Sequence, residues 1–260
     1  MFNIYVCLMT TTERIFWGAV CFVALSSQAA TYDFTAGTAS TNGWQPYLPL
    51  APFGVAYTFS DDASGYRLQS APSVNPALLG PARVGSFLPG SIGDFALSYD
   101  VPSYSSSLSE FFGGAARIGT VGLGTSSGYV LGYDTSVGEL FISKVVNESS
   151  VGAIGPGATA PVALTPGQGY RFTFEGVGAN FDGAVYSLNN LTTPLTTVAG
   201  TDSQFSSGEV GLLVASQAAA GAADETFSRF TVIPEPSAAA LAVLGGLMIL
   251  GASWRRHARR

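Results

Sequence analysis

Chemistry-bearing side chains are scarce in this sequence. Among 260 residues there are two cysteines (Cys7 and Cys21), one lysine (Lys144) and one histidine (His257), and only 11% of residues are charged. Zinc therefore lacks its nitrogen and sulfur ligands. A serine nucleophile would lack a nearby base to take its proton. Positive charge is sparse as well: residues 31–232 hold six cations against fifteen acids, a net charge of −9. Binding a phosphate backbone needs a basic face, so a nucleic-acid partner is excluded. What abounds is glycine (32) and proline (14) within a chain that is 47% hydrophobic. Such a chain is too apolar for disorder and too rich in turn formers for a helical bundle.

Each end carries a hydrophobic segment of its own design. Arg14 precedes an apolar run from Ile15 to Leu25, followed by the small residues Ser26-Ser27-Gln28-Ala29-Ala30. A charge, about ten apolar residues and a small-residue site describe a secretory signal over 1–30, cut after Ala29 or Ala30 by signal peptidase. Both cysteines fall inside it, so the mature chain has no disulfide. At the other end, Val232-Ile233-Pro234-Glu235-Pro236 leads into an uncharged stretch and closes on Trp254-Arg255-Arg256-His257-Ala258-Arg259-Arg260. Ser237 to Trp254 counts 18 residues, roughly 27 Å of helix, at the short end of a transmembrane span. The arginines stop transfer and stay cytoplasmic by the positive-inside rule. The two prolines should leave Ile233–Pro236 extended, exposed and unable to continue a ladder. A permanent membrane anchor is the competing reading of each end.

The order of these three parts over residues 233–260 resembles the PEP-CTERM sorting signal of Gram-negative bacteria. That resemblance implies a membrane-embedded exosortase as partner, with Pro234, Glu235 and Pro236 as the sorting motif and Arg255, Arg256, Arg259 and Arg260 as the stop-transfer cluster. It further implies an inner-membrane precursor, removal of the helix, and delivery to the cell surface or an extracellular matrix rich in exopolysaccharide.

Between the ends, residues 31–232 form one body. Period-two alternation recurs at Val55–Phe59, Phe95–Val101, Tyr170–Phe174 and Val210–Val214. Shorter runs follow at 66–69, 115–123, 129–134, 140–146, 184–188 and 227–232, separated by Gly, Pro, Ser, Asn and Asp. Helical spacing is not sustained anywhere; the Ala-rich Ser216–Ala223 is broken by Gly221 and reads as a loop. About ten antiparallel strands with short turns predict an all-β sandwich or barrel. Tyr129–Asp134, Leu140–Asn147, Leu164–Phe172 and Ser207–Leu212, closed by Phe227–Phe230, resemble the paired strands of concanavalin A-like lectin/glucanase jelly rolls. The resemblance implies an antiparallel jelly-roll sandwich, without fixing an activity.

Candidate chemistry is thin. Gly124-Thr125-Ser126-Ser127-Gly128 has nucleophile-elbow spacing, but strands flank it and no helix follows, so it reads as a hairpin turn. The glucanases of this fold carry a Glu-x-Asp-x-x-Glu strand, and no such spacing exists here. Asp61-Asp62 and Asp224-Glu225 are adjacent pairs, pointing to opposite faces if placed in a strand, and read as solvated loop acids. No cofactor is expected. Calcium, which takes loop oxygens, would have Asp61, Asp62, Asp202 and Asp224 to use. Sugar binding would need aromatic faces, for which Trp44, Tyr47, Tyr129 and Tyr133 are the candidates, with packing as their alternative role. The sequence thus predicts a non-enzymatic exported protein, with a lectin-like carbohydrate-binding module as the alternative and a glycan-active enzyme as the remote one.

Overall fold

The computed structural model describes residues 29–36 and 43–234; the signal segment, the apolar stretch and the arginine cluster lie outside the described residues. Seventeen strands arrange in three sheets, all paired antiparallel. A six-stranded sheet runs β1 (Ala30–Asp33), β17 (Arg229–Pro234), β6 (Phe95–Val101), β12 (Tyr170–Val177), β13 (Asn180–Ser187), β14 (Thr196–Thr201). An eight-stranded sheet runs β10 (Ser149–Ala153), β9 (Glu139–Val146), β8 (Gly128–Asp134), β7 (Glu110–Ile118), β15 (Gly208–Ser216), β5 (Arg83–Ile92), β2 (Gln45–Tyr47), with β11 (Thr159–Pro161) also on β9. The small third sheet is β16 (Ala223–Phe227), β4 (Gly65–Ser70), β3 (Tyr57–Asp62). Among the described residues a short α-helical turn, α1, covers Pro76–Leu79, and 3-10 turns cover Phe34–Ala36 and Ala51–Phe53.

Alternation explains the packing. Phe95, Leu97, Tyr99 and Val101 of β6, with Phe172 and Phe174 of β12, meet Phe112, Leu131 and Leu140 from the other sheet in one core. Tyr99 and Phe172 stack with centroids 4.9 Å apart. Stability rests on this area, because the body holds no disulfide.

Ten sequence runs become seventeen strands for local reasons. The 227–232 run is two strands: Ser228 interrupts it, donating its N–H to Asp100 and accepting from Phe34. The 115–123 run ends at Ile118, since residues beyond it form the β7–β8 loop. Strand β5 was hidden by Pro89 and Gly90, which sit where its ladder with β15 shifts register, a position proline tolerates. β10 and β14 lack a continuous apolar face and lie at sheet edges. The Ser216–Ala223 connection is a loop, as predicted.

The first and last strands of the described residues are built into one sheet edge. Ala30 faces Val232 and Asp33 faces Arg229 across β1 and β17. Pro234 still lies opposite Phe95 on β6, so the ladder continues into the first motif residue instead of stopping before it. Pro234 can close the strand because an end position tolerates the missing N–H.

One buried cation rivets the far end of the sandwich. The β7–β15 register shift gives β7 an extra residue, and Arg117 sits at it with φ of 52°. Its side chain is 1% exposed. Its guanidinium donates to the carbonyls of Gly93, Gly178 and Phe205 and to Asp94, between the rings of Phe95 and Phe181.

Candidate functional site

The structure does not assemble the four aromatic candidates into a sugar platform. Tyr129 (0% exposed) and Tyr133 (2%) share a face, as their spacing predicted, but it is the face turned into the core. The Tyr129 hydroxyl donates to Asp202, 2.6 Å away, and accepts from Phe205 N–H; burial first, with Asp202 added, pushes its pKa up to about 12. Trp44 (6%) is enclosed by Tyr32, Phe34, Tyr66 and Phe230. Tyr47 (8%) alone lies on an outer sheet face, edge-on to Phe87. A ring sealed in the core has no face left to offer, so for Trp44, Tyr129 and Tyr133 the packing role holds.

The other candidate residues separate likewise. Ser126 exchanges hydrogen bonds with Gly122 inside the β7–β8 turn, so the Gly-x-Ser-x-Gly segment is a turn. Asp62 caps Ser64. Asp202 pairs with Lys144 at 2.6 Å; burial would raise its pKa, but Lys144 and Tyr129 outweigh that and hold the carboxyl below its ordinary value. Asp224 accepts both Arg67 and Gln69. Among the described residues no three His, Cys, Asp or Glu side chains gather to hold a metal ion. Pro234 ends β17, while Glu235, Pro236 and Arg255, Arg256, Arg259 and Arg260 lie outside the described residues.

One sequence reading needs correction. Asp224 and Glu225 do point to opposite faces, but they lie in β16 and Glu225 is not solvated: it is 5% exposed. One carboxyl oxygen accepts Thr226 N–H and the other has no partner. Glu110 (2% exposed) lies nearby and accepts Asp224 N–H at 2.7 Å. Burial, reinforced by the charge of Asp224, pushes Glu110 up to about 8, and burial pushes Glu225 well above the carboxylate range. Both acids are sealed from solvent, so neither can reach a substrate outside.

The face that sequence reasoning missed is the outer side of the eight-stranded sheet. Tyr47, Phe87, Ala115, Ile118 and Val130 form a second apolar cluster there, with Phe111, Val121, Val145 and Leu213 partly buried against it. Glycines on this face make room for rings. A Cβ on Gly132 would stand 2.6 Å from the Phe141 ring, and one on Gly211 would stand 2.6 Å from that of Phe87. Phe111 and Phe141, both partly exposed, meet edge to face at 5.8 Å. Asp134 lies directly opposite Phe111, and Glu139 opposite Asp134, so the three share one register row, with Phe141 in the outward row beside it. Asp134 accepts the N–H and hydroxyl of Ser136 at the turn. The signal was present in the alternation Phe111-x-Gly113-x-Ala115 and Val130-x-Gly132, whose small residues mark a face that carries large partners.

No protein-family model matches the chain, and no curated protein matches it by sequence. Solved structures do match in fold. A prokaryotic β-1,3-1,4-glucanase (lichenase) from a mouse hindgut metagenome superposes with a TM-score of 0.55 at 8% identity, over 80% of this chain and 99% of its own. The carbohydrate-binding module CBM66 from Bacillus subtilis gives 0.50 at 17% identity, over 72% and 95%. A Bacillus subtilis protein of unknown function with a galectin-like fold gives 0.51 at 9%, over 79% and 96%. The body has the fold of an antiparallel jelly-roll sandwich. Identities this low establish the jelly roll and leave its activity open.

Proposed function

We propose that this is an exported, non-enzymatic surface or matrix protein whose jelly-roll body is a carbohydrate-binding module. The observation that carries the binding half is the outer face of the eight-stranded sheet, where Phe111 and Phe141 lie beside the carboxylates of Asp134 and Glu139. An aromatic face is electron-rich and attracts the C–H side of a sugar ring, while carboxylate oxygens accept its hydroxyl protons. Solved jelly rolls of similar fold include a module named for carbohydrate binding. The non-enzymatic half is supported by the inward burial of Glu110 and Glu225, the acids most displaced in pKa.

Delivery rests on the two ends of the sequence. Signal peptidase would release the chain near Ala29, which leaves β1 whole, whereas a cut after Ala30 would remove its first residue. Pro234-Glu235-Pro236, the apolar stretch and the terminal arginines would then present the tail to an exosortase, with the membrane as temporary partner. Exopolysaccharide is the natural ligand class for a sugar-binding body delivered this way.

The test is affinity electrophoresis of the full chain in detergent against a panel of soluble glucans, fructans and the producing cell's own polymer. Retention that Phe111→Ala with Phe141→Ala abolishes supports the reading; equal mobility in every gel refutes it.

A further inference from the structure

The opposite face of the molecule carries a second arrangement. Register places Thr31, Thr231, Ser98, Thr173, Ala184 and Thr197 in one row across all six strands of the β1–β14 sheet. Their neighbours along each strand point into the core, so this row faces outward. Five of its six side chains are hydroxyls, and Thr31 and Thr231 approach to 3.2 Å. Six strands at the usual spacing make a track of about 24 Å, long enough for several linked sugar rings. The row's side chains are small, and on β12 and β13 the side chains on both sides of it are larger, which makes a trough there; Ala96 and Ala199 leave one side open on β6 and β14. On one side stand Arg229, Asp100, Arg171 and Tyr186, in which Arg171 grips Asp100 with two hydrogen bonds.

On the other side, Glu175 faces Asp182 directly across β12 and β13. Both are exposed, and among the described residues neither carboxylate has a hydrogen-bond or ion-pair partner. Like charges directly opposite are destabilising in an antiparallel pair, and among the described residues no ion pair offsets this one. The trough deepens beside them into an open cleft of about 530 Å³ lined by Thr173, Glu175, Asp182, Tyr186, Thr197 and Gly157.

We propose that this face binds an extended polysaccharide that carries free amino groups. The polymer lies across the strands, its hydroxyls exchange hydrogen bonds with the Thr and Ser row, and an ammonium settles between Glu175 and Asp182. The charge decides the ligand class. Two unbalanced carboxylates repel a uronate polymer and leave a neutral one without compensation, whereas a cation removes the like-charge repulsion. The inference rests on the carbohydrate-binding reading above but uses a different face.

Hexaglucosamine and cellohexaose serve as probes in titration calorimetry of the full chain, at slightly acid pH. The expected result is that hexaglucosamine binds more tightly than cellohexaose, that added salt weakens only the former, and that shorter glucosamine oligomers bind less well. E175Q with D182N keeps the shapes and should weaken hexaglucosamine about tenfold, the scale of two exposed charge contacts. The same pair should raise the melting temperature slightly, so a folding defect is not the cause. Thr173→Val with Ser98→Val should weaken both oligomers. Equal affinity of the charge variant and the parent overturns the proposal, as does a parent that binds no hexaglucosamine. A change in oligomeric state on E175Q with D182N overturns it too, by assigning the face to a second copy. If glycans bind and only Phe111→Ala with Phe141→Ala abolishes it, this proposal fails and the broader reading stands; if nothing binds, both fall.

Discussion

Raising the pH should loosen this protein in a range where ordinary surface carboxylates are already ionised. Glu110 of β7 accepts the N–H of Asp224 in β16, next to the buried Glu225. In the fold Glu110 holds its proton up to about pH 8, against an ordinary 4.5. The folded state therefore binds the proton more tightly than the unfolded chain. That stabilisation is complete below about pH 4.5 and drains away as pH climbs through about 8. The difference corresponds to about 5 kcal/mol for Glu110 alone, and Glu225 acts in the same direction. Asp33 and Asp202, held below the ordinary value, act oppositely and only at pH below about 4. Against a total stability on the order of 5–15 kcal/mol, the loss is large enough to read directly. Denaturant midpoints from pH 4.5 to 9 should fall steadily, and Glu110→Gln should flatten much of the slope. A midpoint that stays level or rises between pH 5 and 8, or a slope that Glu110→Gln leaves unchanged, refutes the reasoning.

Three further outcomes are expected. Arg117→Met, which takes the donor from three carbonyls and leaves Asp94 with the Gly178 N–H, should cost about 3 kcal/mol in chemical denaturation; a loss under 1 kcal/mol would show that the buried guanidinium is replaceable. Gly132→Ala should displace the Phe141 ring, lowering glycan retention with a stability change of about 1 kcal/mol, and unaltered retention would remove Phe141 from the site. Replacing Pro234-Glu235-Pro236 by alanines should leave the unprocessed precursor in the membrane fraction; normal size and surface display by mass spectrometry and fractionation would refute sorting through this motif.

The sandwich was legible because its core strands obey period two, as Phe95-x-Leu97-x-Tyr99 and Tyr170-x-Phe172-x-Phe174 show. Edge strands such as β10 escaped because exposed residues on both faces leave no alternation to read. The site was harder for a related reason. Tyr129 and Tyr133 were correctly placed on one face, but Val130 and Phe111 make the opposite face apolar as well. A strand apolar on both sides does not announce which side meets the other sheet. Likewise, adjacency told that Asp224 and Glu225 diverge, but only the third sheet shows which of them is sealed. The hydroxyl row and the Glu175–Asp182 pair come from six segments scattered along the chain, and register alone brings them together.

The pairing of β1 with β17 has a mechanical consequence. With Ala30 beside Val232, a chain held at both ends would transmit tension to that corner in a peeling direction, and its bridges would break singly, in succession. A chain held at one end transmits none. On the proposed delivery route, the order in which the two hydrophobic segments are trimmed would decide whether this seam ever bears a load.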